Sequence, residues 1–376
     1  MRTLQEIAQP EITNLKPCTH GGEVFEAAER LGLNPESLLD YSANINPLGP
    51  PPRAIEAVKA HLWEVQFYPE AHSNRLREAL AHHIGGITPE NIIVGNGSTE
   101  LIHMFTQVFL KNGEEALIPS PTFGEYETAV LKAGGKPSFV EAGENLSISS
   151  HEVVGKVNSQ TRLIFLCNPN NPTGLLIPQG EVKNILEEAW ERDILVLLDE
   201  DCMDFVEDEK RFFLAGEVEK YPNLFTLRSF TKFFALPGLR IGYGVASKNM
   251  VELLSRAKTP WNVNCLAQAA ALKALENRRY QQKTRETIKK ERHFLTRELG
   301  SFRGLKVYPS EANFILINIE NTGLTADKVK ERMLEHLILI RDCSSFRGLN
   351  HHYIRVTVRS RRENMRLIKA LRKVLR

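Results

Sequence analysis

Long apolar runs are missing from this chain of 376 residues. The purest of them, residues 194–198, is far shorter than the roughly 20 residues a helix needs to cross a bilayer. Gln5, Glu6, Pro10 and Glu11 interrupt the opening segment, so no secretory leader is expected. An excess of one charge is missing too: 48 Lys and Arg face 46 Asp and Glu, a formal net charge of +2. That balance argues against a protein organised around nucleic acid or an anionic membrane. Cysteine is sparse. Cys18, Cys167, Cys202, Cys265 and Cys343 are odd in number and form no C-x-x-C pair, which excludes a disulfide framework or zinc cluster and reads as reduced thiols in the cytoplasm. His82-His83 and His351-His352 are adjacent pairs whose rings diverge on a helix or strand, so no metal site is expected. No fixed-period repeat or low-complexity tract is visible.

What is present is the mixture of an ordinary globular protein, 42% hydrophobic and 25% charged. The length suits one large and one smaller domain and buries a core without staples. The first fifty residues read as irregular, ending in the Pro/Gly-rich stretch Asn46-Pro47-Leu48-Gly49-Pro50-Pro51-Pro52 before a helix at 53–65. From residue 90 onward, apolar runs at 91–95, 116–119, 137–141, 163–167, 194–199, 224–227 and 240–245 alternate with segments of helical period. One such segment is 181–192, where Val182, Ile185, Leu186 and Trp190 share a face. This pattern predicts an α/β fold with a mainly parallel sheet covered on both sides. Ligand sites of such folds lie beyond the carboxyl ends of the strands. The last hundred residues read as a smaller α+β domain: a long charged helix at 266–299, strands at 314–319, 338–341 and 353–358, and a terminal helix. We divide the chain into an arm (1–52), a large domain (53–265) and a small domain (266–376), the arm contributing to the last.

Chemistry gathers where strands end. In Ser229-Phe230-Thr231-Lys232, beside Phe233 and Phe234, the lysine is expected to be partly desolvated, which lowers an amine's pKa and frees it to condense with an aldehyde. Ser229 and Arg240 are candidate phosphate ligands, the arginine through its fork of donors. Such a lysine flanked by phosphate ligands is what pyridoxal 5′-phosphate requires. Asp199 ends the run 194–199, where a lone carboxylate would be costly and a cationic pyridine nitrogen would offset that cost; a helix cap is the plainer use of the same residue. Asn168-Pro169-Asn170-Asn171-Pro172-Thr173-Gly174 is a stiff turn after 163–167 that could aim Asn171 at a phenolate oxygen. Gly95-Asn96-Gly97-Ser98-Thr99-Glu100 opens a helix, where Gly97 permits close approach and free N–H groups at Ser98 and Thr99 attract an anion. Glu100 stands where a dinucleotide fingerprint needs glycine. Phe123 could stack on a flat ring or simply fill the core.

Taken together, these segments resemble the fold-type I pyridoxal-phosphate enzymes of the class I and II aminotransferase group, over essentially the whole chain. The resemblance implies a large domain with a seven-stranded sheet and a smaller α+β domain. It implies that Lys232 holds the cofactor covalently, Asp199 pairs with its ring nitrogen and Asn171 with its phenolate oxygen. Gly97, Ser98, Thr99, Ser229 and Arg240 would surround the phosphate, and Phe123 would stack on the ring. Tyr68, in Phe67-Tyr68-Pro69-Glu70, matches a tyrosine that reaches the neighbouring subunit's cofactor phosphate, which implies a homodimer with shared active sites.

Within the group, His20-Gly21-Gly22, Tyr41-Ser42-Ala43-Asn44-Ile45-Asn46, Ile340-Arg341-Asp342-Cys343 and Tyr353-Ile354-Arg355-Val356 are most similar to the threonine-phosphate decarboxylases of cobalamin biosynthesis. The tail Val358-Arg359-Ser360 points the same way, and the histidinol-phosphate aminotransferases are near relatives. By that likeness His20, Asn44, Asn171, Arg341 and Arg355 would bind a small phosphorylated amino acid, Arg355 at its carboxylate. The strand end departs from the group: Asp199-Glu200-Asp201-Cys202 carries cysteine where tyrosine or phenylalanine is common. A third possibility, a silent cofactor-binding regulator, is disfavoured by the intact Lys232 and Asp199 and by the lack of an evident helix-turn-helix before residue 90.

Overall fold

The computed structural model describes residues 3–143 and 145–375. Residues 1 and 2 of the arm and 376 of the small domain therefore lie outside it. The first strand is β1 (Leu39–Asp40), in the arm. Seven more follow: β2 (Ile92–Gly95), β3 (Glu115–Ser120), β4 (Lys136–Glu141), β5 (Thr161–Cys167), β6 (Leu195–Asp199), β7 (Leu224–Ser229) and β8 (Gly242–Ala246). They form one sheet in the order β2-β8-β7-β6-β5-β3-β4. Only β8 runs against its neighbours; the remaining pairings are parallel.

The central strands are unbroken apolar runs because both their faces are covered. Leu163, Phe165, Leu197, Phe225 and Leu227 pack with Leu101, Ile102, Phe105 and Tyr126 of helices Ser98–Phe109 and Glu125–Lys132. The alternate set, Ile164, Leu166, Val196, Leu198 and Leu224, meets Val182, Ile185 and Leu186 of helix Gln179–Trp190. Each such side chain contributes about 1.5–3 kcal/mol on burial. Close packing leaves no room at Gly244, where a Cβ would stand 2.3 Å from the Phe225 ring.

The small sheet comprises β9 (Lys306–Val307), β10 (Phe314–Asn318), β12 (Arg341–Asp342) and β13 (Tyr353–Thr357), all antiparallel, in the order β12-β13-β10-β9. β11 (Ile338–Leu339) pairs instead with β1 of the arm, in parallel. The expected single strand at 338–341 is thus two, because the chain changes partners at Ile340.

Other expectations shift as well. The arm is not wholly irregular, since Val24–Leu31 is a helix that Gly32 ends in the left-handed region. The helix expected at 53–65 is α-helical over Pro52–Ala60 and continues as a 3-10 turn, Leu62–Gln66. The helix expected at 266–299 is two, Cys265–Leu275 and Arg278–Gly300, because the Asn277 side chain accepts from the Tyr280 N–H and caps a new helix. Cys265–Leu275 packs on helices Pro52–Ala60 and Asn74–Ile84, across the division we drew at 265. The terminal helix Arg361–Val374 starts on a Ser360/Glu363 capping box and buries Leu367, Ile368, Leu371 and Val374. Among the described residues no helix is long and apolar enough to cross a membrane.

Candidate active site

At the carboxyl ends of β3, β5, β6 and β7 the sheet borders a cavity of about 630 Å³, lined by Phe123, Asn171, Lys232 and Arg240 from the large domain. His20, Asn44, Arg341 and Arg355 line it from the arm and the small sheet. A smaller recess of about 150 Å³ shares Asn44, Phe123, Asn171, Lys232 and Arg240, and adds Ser98, Thr99, Asp199 and Cys202. Most of the residues singled out from sequence are therefore brought together.

Asp199, the last residue of β6, is buried. Its Oδ2 accepts from the Tyr126 hydroxyl at 2.7 Å and its Oδ1 from the Asp201 N–H at 3.0 Å. Burial, followed by the neighbouring charge of Asp201, pushes its pKa well above the usual carboxylate range. Among the described residues no cationic side chain pairs with it to offset that cost. A protonated ring nitrogen would do so, and this is the observation on which the site fits pyridoxal phosphate. Lys232 is half-buried, and its Nζ donates to the Ala43 carbonyl at 3.0 Å. Burial lowers its pKa, as an amine that must attack a carbonyl requires.

The opposite end of the recess suits a phosphate. Gly97 has φ +84 and caps helix Ser98–Phe109. A Cβ there would stand 2.5 Å from an Arg240 guanidinium nitrogen, so only glycine lets that cation lie against the helix start. Arg240 sits in the left-handed region, φ 53, so the strand expected at 240–245 starts two residues later than drawn, at Gly242. Phe123 forms a wall, edge-on to Tyr126 with centroids 5.6 Å apart.

Across the cavity, Arg341 and Arg355 are directly opposed on the antiparallel strands β12 and β13, and both are buried. Like charges so placed repel, and burial lowers the pKa of Arg355 to about 10. Arg355 donates to the Asn171 side-chain oxygen and, at 2.8 Å, to the Ser42 carbonyl. The Asn44 amide is satisfied when its oxygen faces the same guanidinium, at 3.2 and 3.3 Å, and its nitrogen faces Thr357. Arg341 donates to the carbonyls of Thr19 and His20 at 2.7 and 2.9 Å and to Ser345 at 2.9 Å, which fixes the arm across the cavity.

Two expected residues stand apart. Ser229 lines neither space; its hydroxyl donates to Asp201 and accepts from the Thr231 N–H at 3.1 Å. Tyr68 is 78% exposed and stacks on Trp261, centroids 4.4 Å apart, away from the cavity of its own chain. Sequence reasoning missed Tyr126, whose signal is its position three residues after Phe123 on the same connection. It also missed Glu125, which links His20 and His103 at 2.9 and 3.0 Å. Hydrogen bonds from those two imidazoles, His103 first, hold its pKa down at about 2.

The chain is 40% identical over 364 residues to a provisionally named threonine-phosphate decarboxylase of Caldanaerobacter subterraneus subsp. tengcongensis, covering 96% of this chain and 95% of that protein. The histidinol-phosphate aminotransferase structure from Clostridium acetobutylicum matches with TM-score 0.83 and 32% identity, over 90% of this chain and 99% of that one. The L-threonine-O-3-phosphate decarboxylase structure from Porphyromonas gingivalis matches with TM-score 0.80 and 29% identity, over the same shares. The family model "Aminotransferase class I and II" spans residues 36–371. With that span, a mainly parallel seven-stranded sheet, and a buried carboxylate and half-buried lysine sharing one recess, the chain belongs to the class I and II aminotransferase family, pyridoxal-phosphate enzymes of fold type I.

Proposed function

We propose that this enzyme decarboxylates L-threonine O-3-phosphate, releasing carbon dioxide and (R)-1-amino-2-propanol O-2-phosphate for cobamide synthesis. The opposed pair Arg341 and Arg355 carries the reading. Two desolvated guanidinium groups side by side suit a ligand with two anionic groups, here a carboxylate and a phosphate. The 40% identical relative supports the same choice.

In this reading Arg355, steadied by Asn171 and Asn44, takes the carboxylate, while Arg341 and His20 take the phosphate. Anchoring both ends sets which bond at the substrate's Cα stands upright against the plane of the cofactor. When bound, pyridoxal phosphate supplies the electron sink for the bond broken there. Asp199 would keep a proton at the ring nitrogen. Gly97, Ser98, Thr99 and Arg240 would hold the cofactor phosphate, with Phe123 against the ring. Lys232 would hold the cofactor covalently and, from the same place, would move a proton at the substrate's Cα. Cys202 offers no phenol to the recess, so Asn171 is left to serve the phenolate oxygen.

We also take the enzyme to act as a homodimer. Trp63, Phe67, Tyr68 and Trp261 are all more than about a third exposed and lie in contact with one another in pairs, an aromatic patch of the kind that interfaces cover. Histidinol-phosphate aminotransferase is the second reading, favoured by the 32% identical structure. Incubating the holoenzyme with phosphothreonine, without any oxo-acid, is expected to release carbon dioxide and leave the cofactor's aldehyde form unchanged. Accumulation of the cofactor's amine form without carbon dioxide would reverse the two readings.

A further inference from the structure

Cys18, His20 and Glu125 meet at the rim of the cavity from two segments far apart in the chain. One donor atom of each, the thiol sulfur, a ring nitrogen and a carboxylate oxygen, lies within 4.8 Å of the other two. Nε2 of His20 is 2.9 Å from Oε1 of Glu125, and the second carboxylate oxygen is held by Nε2 of His103 at 3.0 Å. Arg341 grips the backbone between the two arm residues through the Thr19 and His20 carbonyls. Gly124 makes the approach possible, since a Cβ there would stand 2.7 Å from the Cys18 sulfur. A soft donor, a borderline donor and a hard one thus converge, each with its own support.

We propose that Cys18, His20 and Glu125 bind one zinc ion, and that the bound ion withdraws His20 from the substrate and so inhibits the enzyme. Zinc takes sulfur, nitrogen and oxygen donors at about 2.0–2.3 Å, and a tetrahedron of that size sets its donors roughly 3–4 Å apart. The side chain of His20 is 50% exposed, so it is free to make the small rotation needed. On binding, Cys18 releases its thiol proton to water; Nε2 of His20, which donates to Glu125 in the metal-free protein, also gives its proton to water while Nδ1 takes one up, and no electrons move. His103 becomes an outer support for the carboxylate, the kind of partner that orients a metal ligand. Cys18 and His20 both line the cavity, so the fourth position opens onto it and takes a water or an anion. The adjacent histidine pairs have nothing to do with this site. It is assembled by tertiary contact, which is why no ligand spacing announces it.

The inhibitory half rests on the role proposed for His20; the binding half does not. The test is zinc chloride titrated into the holoenzyme, by calorimetry in thiol-free buffer and against steady-state rates at several phosphothreonine concentrations. One ion per chain is expected, with KM rising and kcat unchanged. Cys18→Ser is expected to keep its zinc-free turnover and lose more than about tenfold in zinc affinity, since losing even an outer-sphere partner costs about 10–100-fold. Cobalt chloride as probe is expected to give a thiolate-to-metal absorption that this variant lacks. Glu125→Gln, checked by circular dichroism, is expected to weaken zinc binding in the same way. Absence of stoichiometric binding, or binding unchanged in Cys18→Ser, overturns the site. Binding that depends on Cys18 while rates stay unaffected overturns the inhibition alone. A holoenzyme that ignores phosphothreonine defeats the function proposed above and leaves the calorimetric result standing.

Discussion

The two walls of the cavity are built in different ways. On one wall Asp199 ends a strand, and Ser98, Thr99, Asn171 and Lys232 follow within a few residues of the ends of other strands of the same sheet. Covalent succession and a core buried on both faces hold them, so the wall is formed before any ligand arrives. The other wall joins pieces that are distant in sequence. Arg341 reaches the His20 carbonyl across 321 positions, and Arg355 reaches the Ser42 carbonyl across 313. Hydrogen bonds and a two-stranded pairing with the arm hold it, and these can be altered singly. In the proposed reading the arrangement separates two tasks: the sheet side would serve the cofactor chemistry common to the family, while the arm and small sheet would choose the substrate. The Lys232–Ala43 hydrogen bond is a direct tie between them.

Changes on the sheet side should be the most severe. Lys232→Arg is expected to lower kcat by about 10²–10⁴-fold or more, the usual cost of losing a group that moves a proton. Borohydride should then no longer fix the cofactor to the chain, which mass spectrometry of the reduced protein checks. Asp199→Asn is expected to cost about 10²–10³ in kcat, comparable to losing one charge-stabilising group. Its effect on the cofactor-free protein should be opposite in sign. Burial raises the Asp199 pKa from an ordinary 3.8 to about 7, so the folded chain keeps a proton that the unfolded chain has lost. The contribution of this group is therefore present below about 4 and is lost as pH rises toward 7, at about 1.4 kcal/mol per pH unit within that window. The amide of the variant carries no such charge, and melting of the cofactor-free variant should be flatter with pH and higher at pH 8. If wild-type and variant melting curves run parallel from pH 4 to 8, the carboxylate is not held as described.

How much could be read from sequence follows the same divide. The residues of the sheet side are legible because each sits at the end of an apolar run or just beyond it, where an α/β sheet assembles its ligands. Ser229 shows the limit of that rule. Its place at the end of β7 is as expected, but its hydroxyl is turned to Asp201, a choice made by side-chain packing. Arg240 reads as part of a strand, yet its left-handed φ carries it out to Gly97. Residues of the other wall are legible only through resemblance. Neither periodicity nor spacing relates His20 to Arg341, or Arg341 to Arg355 across a hairpin, before the pairing register is known. Glu125 and Tyr126 are adjacent on one helix yet serve opposite walls, a division that only the helix's orientation over β3 and β5 decides. Likewise, the break at Asn277 hides inside a charged segment whose helical character is continuous on either side.

Substitutions in the arm and small sheet should be milder and selective. Arg341→Lys and Arg355→Lys each keep the charge and lose the planar fork, which is expected to raise KM by about 10–100-fold, the scale of one charge-assisted hydrogen-bond pair. The losses should separate by substrate. The Arg355 variant should be impaired with every ligand bearing a carboxylate. The Arg341 variant should be impaired with phosphothreonine yet bind unphosphorylated threonine as the wild type does. Equal losses on both ligands would mean that the two arginines act as one undivided anion trap, which would blur the distinction between carboxylate and phosphate ends.

The smallest effect is expected at Tyr68, which belongs to neither wall of its own cavity. Tyr68→Phe removes one hydroxyl from an exposed ring stacked on Trp261, so folding should be untouched. If that hydroxyl serves the cofactor phosphate of a second copy, kcat/KM should fall by about 10-fold, near the lower bound for a hydrogen bond to a charged group. Complementation makes the test independent of that magnitude. A mixed dimer of a Tyr68→Phe chain with a Lys232→Arg chain contains one cavity with an intact lysine, completed by the other chain's intact tyrosine. Its rate per intact lysine should therefore match the wild type, although both parents are impaired. A mixture no faster than the Tyr68→Phe parent would confine the tyrosine to its own chain, and a third source of site residues, lying beyond both walls, would have to be given up.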